Sequence, residues 1–108
     1  MIITITPSVL TIPATGGRAI HKIKNNGVSR LAFKLKTSNN ACYKVRPVYG
    51  FIDPNAEVQM EIIKTESAPK EDRLVLQFAE TPPEETNPQA PFLASAIQGE
   101  LIMVLSSN

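Results

Sequence analysis

The stretch from Lys36 to Pro54 most constrains what this chain can become. It continues a run, Leu31-Ala-Phe-Lys-Leu-Lys-Thr37, in which Leu31, Phe33 and Leu35 face one way and Ala32, Lys34 and Lys36 the other. That alternation predicts a half-buried strand over residues 30–37. A second short strand is expected over 41–46, with Tyr43 and Val45 inward. It meets Pro47, and the stretch closes in a turn at Asp53-Pro54-Asn55. A proline directly after a strand has no N–H to give to a ladder, so it marks an edge, a bulge or a crossover.

Period 2 dominates the rest of the chain, with turn signals at short intervals, and no long stretch has period 3.6. That pattern predicts an all-β sandwich. A first strand over 2–6 and 8–12 is broken at Pro7, and Gly16-Gly17 is a turn. A second strand, 18–25, has Ala19, His21 and Ile23 inward and ends at the turn Asn25-Asn26-Gly27. Residues 56–64 bury Ala56, Val58, Met60 and Ile62 and expose Glu57, Gln59 and Glu61. After a polar loop, residues 73–80 bury Leu74, Leu76 and Phe78 and turn Arg73, Val75, Gln77 and Ala79 outward. Four prolines exclude a ladder strand from 81–96. A helical turn is expected at Phe92–Ala96, and a loop this long is either functional or mobile. The last strand, 97–105, is apolar on both faces, so its second face calls for cover from the loop or from another chain.

Length and charge bound the rest. The 108 residues suit one domain, 1–108, with one core. No run approaches the roughly 20 apolar residues of a spanning helix. The N-terminus lacks the basic region and cleavage site of a signal peptide. With one cysteine, Cys42, no internal disulfide can form, so a reducing, cytoplasmic setting is expected. Eight of the eleven Lys and Arg residues precede Asp53, and all ten Asp and Glu residues come at or after it. The first 52 residues therefore carry +8 and the remainder −7. Such asymmetry suits an acidic partner or a second copy of the chain.

Several segments, in order, resemble the major sperm protein domain. These are Ile3-Thr-Ile-Thr-Pro7 with Leu10-Thr-Ile-Pro13, Lys22-Ile-Lys-Asn-Asn26, Lys36-Thr-Ser38, Arg46-Pro-x-x-Gly-x-Ile-Asp-Pro54 and Asp72-Arg-Leu-Val-Leu-Gln-Phe78 with Thr81-Pro82. The resemblance implies an immunoglobulin-like seven-stranded β-sandwich, as in nematode sperm filament proteins and membrane-tethered VAP adaptors. The last of these segments looks closer to the sperm branch. On that basis the chain is expected to be a non-enzymatic, self-assembling structural or interaction protein of the sperm cytoskeleton or cell projection. An adaptor for short acidic peptides is the alternative. The resemblance also implies cis bonds at Arg46-Pro47 and Thr6-Pro7.

No enzyme is expected. His21 and Cys42 could in principle pair as base and nucleophile, but His21 reads as a core or rim residue and a lone thiol is more often inert. One His and one Cys fall short of a zinc site, and Gly16-Gly17 leads into a strand rather than a helix. No metal or cofactor is called for. Nucleic acid is not expected either, because aromatic residues make up 6% and no recognition module is present.

The candidate partner site is the outward face of two strands that neighbour each other in an immunoglobulin-like sheet. It carries Lys34, Lys36, Arg73 and Val75. The resemblance adds Thr37 and Ser38, since Lys36-Thr37-Ser38 follows the VAP Lys-Thr-Thr track. It sets Arg73 where VAPs have lysine and Val75 where they have methionine, a shallower apolar pocket.

Overall fold

The structure, a computed structural model, describes residues 2–108. Alternating side chains produce two sheets that share one apolar interior. The strands are β1 (Ile3–Thr6), β2 (Leu10–Ile12), β3 (Gly17–Asn25), β4 (Leu31–Thr37), β5 (Tyr43–Arg46), β6 (Tyr49–Ile52), β7 (Glu57–Lys64), β8 (Glu71–Glu80) and β9 (Gly99–Ser107), with one short helix, α1 (Ala90–Leu93). A four-stranded sheet runs in the order β1-β3-β7-β5, and a five-stranded sheet in the order β2-β9-β8-β4-β6. All ladders are antiparallel except that between β2 and β9. This is the expected immunoglobulin-like sandwich.

The chain changes sheets at both marked prolines: between β1 and β2 at Pro7, and between β5 and β6 at Pro47. Both bonds, Thr6-Pro7 and Arg46-Pro47, are cis. A residue without an N–H ends one ladder cleanly, and the next strand then joins the other sheet.

The core holds Ile3, Ile23, Leu31, Phe33, Ile52, Met60, Ile62, Leu74, Leu76, Met103 and Leu105, each nearly free of solvent. Burial of a side chain of this size contributes about 1.5–3 kcal/mol. Two buried polar side chains are satisfied locally. Asn25 ends β3, donates to the carbonyls of Ser29 and Ile52 at 2.8 and 3.0 Å, and accepts the Gly27 N–H at 2.9 Å. It thereby ties the β3–β4 turn to β6. The buried Lys64 ammonium donates to Ala14 O, Thr65 O and Ser67 Oγ at 2.9–3.1 Å.

Three expectations are corrected. Tyr49–Ile52 is a strand of its own, paired with β4 from Leu31 to Lys34, so the sandwich has more strand segments than the seven expected. The last strand spans 99–107 rather than 97–105: Gln98 is spent in the turn, its N–H donating to Phe78 O at 2.9 Å. Further on, the β9 ladder is extended by parallel pairing with β2 at Leu105–Ser107. The helical turn begins at Ala90, not Phe92.

Candidate interaction faces

Pairing between β4 and β8 sets Lys36 opposite Val75 and Lys34 opposite Gln77. Pairing between β8 and β9 continues these rows: Val75 faces Ile102, Gln77 faces Glu100, and Arg73 faces Val104. The outward side of the five-stranded sheet therefore carries a row Lys36–Val75–Ile102, with Arg73 and Val104 beside it. Neighbouring strands lie about 4.8 Å apart, so these side chains are within reach of one another. Ile102 is 54% exposed and Val104 36%. They form an apolar strip rimmed by Lys36 and Arg73.

The other half of this face is covered. Ala32 and Ala79 point outward but are buried, as is Gln77. The cover is the proline-rich segment 81–96. Arg30 pins it: Nη1 donates to Pro83 O and Glu85 O at 3.0 and 2.9 Å, more distantly to Pro82 O, and the guanidinium stacks on Phe51 at 3.7 Å. Phe92 of α1 packs on Tyr49 with ring centroids 5.7 Å apart, and the Lys34 ammonium lies 5.5 Å from the Tyr49 ring. Lys34 thus stands at the border between covered and open halves.

Thr37 and Ser38 hold the end of the strand. Thr37 Oγ1 donates to Asn40 Oδ1 at 2.8 Å. Ser38 Oγ donates to the buried Asp72 at 3.1 Å and accepts the Arg73 N–H at 2.9 Å. Asn39 and Lys70 also reach Asp72. Lys36, Arg73 and Val75 are brought together, while the hydroxyls of Thr37 and Ser38 are engaged within the chain.

His21 and Cys42 do not form a site. His21 is buried, and its Nδ1–H donates to Pro7 O at 2.8 Å. It pairs with Met60 of β7, whereas Tyr43, next to Cys42, pairs with Lys64. Four residues along β7, about 13 Å, and two strand spacings across it, about 10 Å, lie between His21 and Tyr43. Among the described residues no three metal-ligating side chains cluster.

A second face went unread in the sequence. With Ala19, His21 and Ile23 inward, β3 turns Arg18, Ile20, Lys22 and Lys24 outward, and β5 adds Lys44 and Arg46. Register places Arg18, Ile63 and Lys44 in one row across the four-stranded sheet, and Ile20, Glu61 and Arg46 in the next. Glu61 is the hub, ion-paired to Arg18 on one side and Arg46 on the other. Hydrogen bonds from Arg18 and then Arg46 hold its carboxyl below the usual carboxylate range. The signal was there in the alternation of 18–24. What local pattern could not supply was that β5 lies in the same sheet.

In comparison with known proteins, the family model for the MSP (major sperm protein) domain matches residues 2–100. The sperm-specific class P protein 34 of Caenorhabditis elegans is 50% identical over 103 residues, covering 95% of this chain and 96% of that one. Among solved structures, WR4, a C. elegans MSP family member, is 48% identical with a TM-score of 0.97, covering 99% of this chain and 98% of that one. SSP-19, an MSP-domain protein like family member of the same nematode, is 41% identical with a TM-score of 0.93, covering 97% and 98%. A PapD-like domain of human CEP192, 11% identical with a TM-score of 0.70 over 99% of this chain and 84% of that one, shares the fold alone. With the family model matching residues 2–100 and near full-length relatives at 41–50% identity, the chain belongs to the major sperm protein domain family.

Proposed function

We propose that this chain is a non-enzymatic structural and interaction protein of sperm that associates with further copies of itself as part of a cytoskeletal assembly. The observation that carries this reading is the exposed strip Val75–Ile102–Val104 between Lys36 and Arg73. Beside it, among the described residues, β9 has no ladder partner on its far side from Gly99 to Val104, since β2 pairs only with Leu105–Ser107. An apolar strip next to an open strand edge invites association. Sedimentation velocity over a concentration series at low salt tests it. The expected result is a mass that rises with concentration and falls back with salt. A strictly monomeric mass at high concentration and low salt overturns the reading.

A second reading, docking of a short acidic peptide, is favoured by one feature of the same face. Lys34, Lys36 and Arg73 have no carboxylate partner among the described residues. Stoichiometric capture of acidic peptides by a monomeric protein would support this reading over the first.

A further inference from the structure

The charge asymmetry of the chain resolves into one face. Of the eight cations in the first 52 residues, five lie on the outer side of the four-stranded sheet: Arg18, Lys22, Lys24, Lys44 and Arg46. All five are exposed. Only two carboxylates share that side, Glu57 and Glu61, so the face carries +3. Lys24 and Lys44 have no ion-pair partner among the described residues. Ile20, 41% exposed, stands between the charges. Four strands about 4.8 Å apart make a surface roughly 15 Å across, with the ordinary strand-to-strand twist.

The occupant must be anionic and broad. A second copy meeting this face with its own like face would be repelled. Among the described residues no sheet face is acidic either: Glu71 and Glu100 share the outer side of the five-stranded sheet with Lys34, Lys36 and Arg73, and Asp53, Glu80, Glu84 and Glu85 belong to turns and strand ends. Single-stranded nucleic acid is disfavoured because none of the outward residues here is aromatic, so bases find nothing to stack on. A charged bilayer leaflet meets every requirement: it attracts exposed Lys and Arg and admits a shallow apolar side chain.

We propose that the outer face of the four-stranded sheet docks on anionic phospholipid bilayer surfaces, with its five cations over the headgroups and Ile20 reaching toward the acyl boundary. The opposite face, with Val75 and Ile102, then points away from the membrane and stays free for protein contacts. The inference does not rest on self-association and goes beyond it.

Vesicle co-sedimentation of the full chain tests it, using phosphatidylcholine alone and two parts phosphatidylcholine to one part phosphatidylserine. The protein should pellet only with the phosphatidylserine vesicles, and added salt should release it. Each unit of lost positive charge should weaken partitioning about fivefold, so Lys24→Gln with Lys44→Gln should cost about twenty-fivefold, and Lys24→Glu with Lys44→Glu about six-hundredfold. The neutral pair guards against misfolding of the reversed pair, which sets a second carboxylate opposite Glu57. Ile102→Asp should leave vesicle binding unchanged, so failure here and failure of self-association are read separately. Three results overturn the proposal. One is equal binding to both vesicle types. Another is binding indifferent to the Lys24 and Lys44 changes. The third is capture of a single-stranded RNA oligonucleotide, lost on those changes, with no vesicle binding.

Discussion

The two outer faces of this sandwich are built by the same period-2 alternation and end up unlike. The four-stranded sheet shows an open, evenly basic surface knitted by Glu61 between Arg18 and Arg46. The five-stranded sheet is divided: half lies under the 81–96 segment, and half shows an apolar strip edged by Lys36 and Arg73. Alternation decides which residues leave the core. What they then meet is decided by segments distant in sequence, and here by the reach of Arg30. A face covered by its own loop can carry alanines at outward positions, as at Ala32 and Ala79.

The largest expected effect comes from removing that difference. Arg30→Ala deletes hydrogen bonds from a charged donor to Pro83 O and Glu85 O, together with the stacking on Phe51. A loss of about 2–4 kcal/mol is expected in denaturant unfolding. Cleavage by protease within 82–89 should become faster, because the segment loses its anchor. Unchanged stability and unchanged cleavage would mean that packing of Phe92 on Tyr49 alone holds the cover.

Next comes the open half. Ile102→Asp places a carboxylate in the strip between Val75 and Val104. Self-association should weaken at least about tenfold, while stability shifts by only about 0.5 kcal/mol, because the side chain already meets water. Sedimentation and denaturation on one sample check both. If self-association survives, the contact lies on another surface. Lys36→Glu with Arg73→Glu sharpens the same half. Capture of an acidic peptide should fall by about tenfold or more with circular dichroism unchanged. Capture unaffected by the double reversal places that site elsewhere.

Much of this was legible in the sequence, and the remainder has physical causes. Leu31, Phe33 and Leu35, Met60 and Ile62, and Leu74 and Leu76 are inward as their spacing says. The neighbourhood of β4 and β8, which gathers Lys36, Arg73 and Val75, followed from the fold class. Burial of Ala32, Gln77 and Ala79 did not, because the residues that cover them are distant in sequence. Tyr49–Ile52 was hidden between Pro47 and Pro54, too short for a period to show. Thr37 and Ser38 enter the candidate site through the resemblance alone, and no local pattern says that Asn40 and the buried Asp72 bond their hydroxyls. The basic face needed the pairing of β3, β7 and β5, which no local window contains.

The smallest effect concerns Glu61 and separates the two faces by pH. Its folded-state pKa lies below the ordinary value because Arg18 and Arg46 hydrogen-bond the carboxylate. A group with a depressed folded pKa contributes stability that is full above the unfolded value, about 4.3 for glutamate, and is lost as pH falls through the folded value. Glu61→Gln removes that contribution. Wild type should therefore be slightly more stable than the variant at neutral pH, and the gap should close as the solution is acidified below about pH 4. The side chain is solvent-screened on an exposed face, which keeps the gap small. The same substitution frees two guanidinium groups, raising the charge of the four-stranded face without touching Ile102. Binding to phosphatidylserine vesicles should tighten and self-association should not change. A stability gap constant across acid pH would show that Glu61 acts through packing rather than charge. A matched change in self-association would show that the two faces are not independent.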